Sequence, residues 1–174
     1  MTKQRSNIKL KYYSKVFQRL ISLTIILLLS LSMPAYSAEN ESLEQSQVAL
    51  QTILAQHKGD VVYLDVWASW CVPCRKSFPW MNKMQQKYHQ QGFAVVSVNL
   101  DAEGLLAKEF LNSNQASFPV IYDPKGHIAR YFSIKGMPSS MLIDREGKIR
   151  KNHSGFFSDK IKRYEAEITA LLKQ

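Results

Sequence analysis

An α/β domain with a central mixed β-sheet flanked by helices is the fold class that this 174-residue chain predicts. Three observations carry it. A β-branched and aromatic run, Val61–Trp67, leads into a helical pattern and then a second such run, Phe93–Leu100. Strand, helix and strand in that order imply two parallel neighbours joined by a right-handed crossover. Further on, Ser140–Asp144 and Lys148–Lys151 flank Arg145-Glu146-Gly147, a hairpin signature that adds antiparallel strands, with Gly147 supplying the positive φ. Amphipathic helical patterns stand before the first strand and after the last, as covers for a sheet.

The first 38 residues read differently. Lys3, Arg5, Lys9, Lys11, Lys15 and Arg19 occur there without an acid, so six of the nine net positive charges belong to this segment. The apolar run Leu20–Leu31 follows, then small residues through Ala38, the layout of a secretory leader. The run covers roughly 18 Å of helix, short of a ~30 Å hydrocarbon core. Two outcomes stay open: cleavage after Ser37 or Ala38, or retention of residues 20–38 as an anchor with its basic end in the cytoplasm. Both predict export, to the periplasm, of a domain spanning residues 39–174. The remaining charge is mild and unclustered, which argues against nucleic-acid binding.

Within that domain, Glu41–His57 reads as an amphipathic helix closed by Gly59. The helix after the first strand runs to about Gln91, with Phe78, Met81, Met84 and Tyr88 at helical spacing and Gly92 as its stop. Glu103–Asn114 is a further helix. Phe118–Tyr122 is a weak strand that Pro119 confines to an edge or an entry. Asp123–Gly126 is a turn leading into a short helix through Phe132. The last helix, about Ser158–Leu172, has Ser158 or Asp159 as its expected cap.

Both cysteines lie in one place, Cys71-Val72-Pro73-Cys74. So short a loop gains little as a structural staple, because the benefit grows with loop length. A zinc site is not indicated either: His57, His89, His127 and His153 show no paired spacing. A strand that ends at Cys71 and a helix that begins there put the first thiol at a helix N-terminus, where free N–H groups and the macrodipole favour thiolate. Cys71 is thus the expected exposed nucleophile, and Cys74, one turn inside the helix, the shielded resolving thiol. Pro73 sits in the first turn, where its missing N–H costs nothing. Arg75 and Lys76 are expected to be solvated.

The stretch Leu64–Arg75, with Pro79 after it, resembles the active-site stretch of the thioredoxin superfamily. Gly92–Asp101, Phe118–Pro124, Gly136–Gly147 and His153–Gly155 are similar, in the same order, to its exported TlpA/ResA-like branch, and the likeness covers about residues 42–172. The resemblance implies a thioredoxin-like fold with that branch's helix–strand insertion, acting as a monomer. Asp65 matches the family's buried carboxylate; a carboxylate buried near Cys74 has a raised pKa and can take and return that thiol's proton. Pro138 matches the cis-proline facing the disulfide, which leaves the backbone of Met137 free to pair with a substrate strand. Trp70 matches a tryptophan of the docking surface, to which Val72 and Pro73 also belong; Trp67 is core, and Pro79 kinks its helix. Two departures stand out: Ser77 replaces a glutamate common in the branch, and Ser97 replaces thioredoxin's buried lysine.

The implied activity is thiol–disulfide exchange with no metal, flavin or nucleotide, the redox group being the cysteine pair. Implied partners are exported proteins with disulfides, apocytochrome c or its handling proteins among them, and a membrane thiol–disulfide electron donor. Competing readings are an oxidase running the exchange in reverse and a non-catalytic binding or chaperone module. A peroxidase reading is disfavoured because no Thr stands at the required spacing before Cys71.

Overall fold

The computed structural model describes residues 33–174 and Gln18, with side chains described from residue 40 onward. The leader's basic and apolar parts therefore lie outside the described residues. Among the described residues, no helix is long and apolar enough to cross a membrane. Two compact units divide the chain, at Ser42/Leu43. Of the first, the structure describes the opening turns of helix α1 (Met33–Gln56), which begins eight residues ahead of the predicted start.

The second unit holds the rest of α1 and the sheet. Strand β1 (Val61–Trp67) leads to α2 (Val72–Tyr88), a 3₁₀ turn at His89–Gln91 and β2 (Phe93–Asn99). Then come α3 (Gly104–Ser113), β3 (Val120–Tyr122) and α4 (His127–Tyr131). The hairpin β4 (Ser139–Ile143) and β5 (Ile149–Ser154) precedes α5 (Ile161–Leu172). The strand order is β3-β2-β1-β4-β5; β2 is parallel to β1 and β3, while β4 is antiparallel to β1 and β5. The predicted mixed sheet is therefore the observed one, and β3 is at its edge, entered directly after Pro119.

Strand pleating sorts β1 into two layers. Val61, Tyr63 and Trp67 pack with Phe78, Met81 and Met84 of α2, Phe110 of α3 and Ile168 of α5. Val62, Leu64 and Val66 pack on the other face with Leu50 of α1 and Ile128 of α4. At the hairpin turn Gly147 has φ 80°, as expected, and Asp144 Oδ1 accepts the N–H groups of Glu146 and Lys148 at 3.1 and 2.8 Å. One expectation fails locally: Ser158 and Asp159 do not cap α5. They lie in a 3₁₀ turn, Ser158–Lys160, and α5 starts without a side-chain cap.

Candidate functional site

Cys71 and Cys74 form a disulfide with Cα atoms 5.2 Å apart. Cys71 is extended (φ −80°, ψ 101°) and is the N-cap of α2, its sulfur accepting the N–H of Cys74 at 3.3 Å. A sulfur takes the place that a Ser or Asp oxygen holds at an ordinary helix start, with unpaired N–H groups pointing toward it. Pro73, second in the helix, removes a donor that had no partner to lose. Pro79 lies inside α2, which continues through it to Tyr88.

One expectation about the pair needs correcting. Cys71 is not an exposed sulfur in this disulfide form: the residue keeps only 6% of its surface, and Cys74 keeps none. The reason is packing, since both belong to the apolar cluster of Trp67 and Phe78. The exposed groups around them are Trp70 (66%), Val72 (60%) and Pro73. Arg75 and Lys76 are exposed as expected, Arg75 lying 5.9 Å from the Phe110 ring centroid.

The Met137–Pro138 bond is cis, as the resemblance implies. Pro138 is buried and its carbonyl accepts the N–H of Gly155 at 2.7 Å. Met137 is half-buried against the disulfide's cluster, and among the described residues its backbone N–H and C=O have no hydrogen-bond partner.

Asp65, in the middle of β1, shares the face of Tyr63 and Trp67 and so points into the layer that holds the disulfide. It is 1% exposed, and its Oδ2 has no hydrogen-bond partner among the described residues. Burial pushes its pKa up to about 7. The two departures from the family pattern are also buried: Ser77 Oγ donates to the Cys74 carbonyl at 2.7 Å, and Ser97 stands beside Asp65 on β2.

Reasoning from the sequence missed a clamp on the loop before Cys71. The buried carboxylate of Asp101 accepts the Ser69 N–H at 3.2 and 3.0 Å, the Ser69 hydroxyl at 3.0 Å and the Asn99 amide at 2.8 Å. Ser69 is two residues from the disulfide, so this cluster fixes where α2 begins. A carboxylate gathering three donors is the strong form of such a contact. The available signal was the polar pair Asn99-x-Asp101 closing a strand that is apolar apart from Ser97.

A family model described as Redoxin matches residues 32–168. The chain belongs to that family. Its relatives include the thiol-disulfide oxidoreductase ResA of Bacillus thuringiensis subsp. konkukian, 33% identical over 102 residues, or 59% of each chain. The ResA of Geobacillus thermodenitrificans is 29% identical over 154 residues, 79% of this chain and 88% of that one. The match to the Bacillus relative thus spans about three fifths of its length. Among solved structures, one from Chlorobium tepidum described as a thiol:disulfide interchange protein DsbE is 53% identical with a TM-score of 0.67, covering 68% of this chain and 84% of that one. StoA from Bacillus subtilis is 28% identical with a TM-score of 0.54, over 62% and 84%. This Redoxin chain is therefore a TlpA/ResA-like member of the thioredoxin superfamily. Among the described residues, no group of three His, Cys, Asp or Glu residues is arranged to hold a metal ion.

Proposed function

We propose that the protein is a thiol–disulfide oxidoreductase that reduces disulfides in exported proteins through Cys71 and Cys74. The observation that carries this reading is the disulfide seated on the N-terminus of α2, with the Cys71 sulfur as the helix cap. In the dithiol form the same N–H groups favour Cys71 as thiolate, the attacking species. Cys71 attacks a partner disulfide, forming one S–S bond and expelling one partner sulfur. Cys74 gives its proton to Asp65 and attacks Cys71; the mixed disulfide breaks, and the partner leaves with both sulfurs reduced. Two electrons pass to the partner, and a membrane thiol–disulfide donor returns them. The cysteine pair serves as the whole redox group, with no further cofactor.

Trp70, Val72 and Pro73 supply an apolar docking surface, and Met137 offers its backbone to an extended substrate segment beside Pro138. The basic and apolar leader supports export to the periplasm, and the resemblance of the sequence to the TlpA/ResA-like branch is the ground for substrates in cytochrome c maturation.

The test is insulin reduction combined with trapping. Wild type is active and Cys71→Ser inactive, while Cys74→Ala accumulates mixed disulfides through Cys71. Activity surviving in Cys71→Ser would reverse the assignment of the nucleophile. Equilibration with glutathione sets the direction: a potential near thioredoxin's roughly −270 mV supports a reductase, and one near the roughly −120 mV of DsbA overturns it.

A further inference from the structure

One polar row crosses four strands on the face that holds the disulfide. Register sets Ser97 of β2, Asp65 of β1, Ser140 of β4 and His153 of β5 side by side. Directly paired residues share a face, so these four side chains line up across the sheet. All are covered: Ser97, Asp65 and Ser140 are at most 4% exposed, and the His153 side chain 9%. Polar groups withdrawn from water are costly, and core packing alone does not call for four of them in a line.

From Ser140 outward each polar atom lies within hydrogen-bond distance of the next. Ser140 Oγ lies 2.6 Å from Tyr63 Oη and 3.3 Å from His153 Nδ1. His153 Nε2 lies 2.7 Å from Glu167 Oε2, and Glu167 Oε1 accepts Arg163 Nε at 3.0 Å. The Arg163 side chain is 66% exposed, so the outer end reaches water at α5. Burial opposes ionisation of Glu167, but the hydrogen bonds from Arg163 and His153 outweigh it and hold its carboxyl below the usual range. A carboxylate can only accept, so His153 Nε2 carries a hydrogen toward Glu167, and in the tautomer with that hydrogen alone Nδ1 is an acceptor toward Ser140.

At the inner end is Oδ2 of Asp65, unpartnered among the described residues and directly opposite Ser140. Cβ atoms of such cross-strand pairs are ~4.5–5.5 Å apart, so one side-chain rotation joins carboxyl and hydroxyl. Besides Asp65, the titratable and charged groups facing this row are Tyr63 on β1 and Tyr164, Arg163 and Glu167 on α5. Burial first, and then the charge of Asp65, raises the Tyr63 pKa well above its ordinary value, so the phenol stays neutral as a fixed hydrogen-bond partner.

We propose that Ser140, His153 and Glu167 form the proton route between Asp65 and solvent. The cysteines make such a route necessary: with the pair almost wholly covered, and a docked partner covering it further, a proton taken from Cys74 has no direct way out. The Ser140 hydroxyl, which donates to Tyr63 Oη at rest, turns its hydrogen to His153 Nδ1; Asp65 then passes its proton to Ser140 Oγ as that hydrogen moves to Nδ1. The Nε2 hydrogen then leaves to Glu167 and from there to water, and the return of the ring and hydroxyl to their first state resets the chain. These residues act through Asp65, and the proposal rests on its role as the base for Cys74.

The experiment mixes reduced protein with excess glutathione disulfide in a stopped-flow instrument and follows tryptophan fluorescence. Capture by Cys71 is the disulfide-dependent first phase; displacement by Cys74 is the concentration-independent second. Ser140→Ala and His153→Phe are expected to slow the second phase about tenfold and leave the first unchanged. Ser140→Thr, which keeps the hydroxyl, restores it. Glu167→Gln, at the rim rather than in the core, slows it as well and covers the case in which a core variant fails to fold. Asp65→Asn separates the two readings. If it slows the second phase while the three row variants run at the wild-type rate, the route is wrong and the base assignment stands. If Asp65→Asn also runs at the wild-type rate, both fall.

Discussion

Asp65 concentrates the tension of this site in one side chain. A carboxyl at 1% exposure has lost its water, one of its oxygens has no partner among the described residues, and burial lifts its pKa from 3.8 to about 7. A folded-state value above the unfolded one means that the native protein binds the proton more tightly. Stability from this group is therefore whole below about pH 4 and is lost as pH rises through 7. At 1.36 kcal/mol per pH unit the loss is at most roughly 4 kcal/mol. Asp65→Asn, which has no charge to bury, should be more stable than wild type by about 2–4 kcal/mol at pH 8, with the gap closing toward pH 4. Urea unfolding of the oxidised proteins at the two pH values checks this; a gap independent of pH would refute the raised pKa. Asp65 and the cysteines were legible in the sequence because a short contiguous motif carries them. Asp101 and the Ser140–His153–Glu167 chain were not, because each exists only once segments 32 or more residues apart, or a hairpin and the helix that follows it, have packed together.

At the scale of the element, α2 decides the chemistry. Its start is fixed from both sides: the Asp101 carboxylate holds Ser69, and the aromatic cluster holds the first turns, with Trp67 and Phe78 centroids 4.6 Å apart and Phe78 and Phe110 4.9 Å apart. Cys71 is thereby kept at the N-cap, where the partial positive charge of the helix end favours an anion. A thiol so placed should titrate below the free value of about 8.5. Iodoacetamide alkylation of the reduced protein against pH should show Cys71 reacting with a midpoint below that of free cysteine and Cys74 protected. A midpoint at or above 8.5 would remove the helix from the mechanism. The boundary of α2 was readable because a strand pattern stops at the cysteines and Pro73 fits a first turn. The α5 boundary was not: Ser158 and Asp159 look like caps in sequence, yet the chain makes a 3₁₀ turn before Ile161, a tertiary choice that local propensity does not encode.

For the whole molecule, the direction in which electrons run depends on two energies of different size. Closing the four-residue Cys71–Cys74 loop removes unfolded-state entropy worth about 2 kcal/mol, which stabilises the oxidised fold. Against it stands stabilisation of the reduced fold by the thiolate. One helix end stabilises an anion by roughly 0.3–1 kcal/mol, and an ionised Asp65 in the same layer opposes even this. Loop closure outweighs the thiolate, so the oxidised protein should melt above the reduced one by roughly 5–8 °C, given the size of the domain. That ordering marks a reducing couple, since a strong oxidant such as DsbA owes its potential to a stabilised reduced form. Calorimetry of the protein with and without a reductant, at pH 7 and equal concentration, measures the difference directly. A reduced form that melts higher would mean that this site stabilises its thiolate far more than one helix end and one N–H contact explain, and the reductase reading would give way to the oxidase.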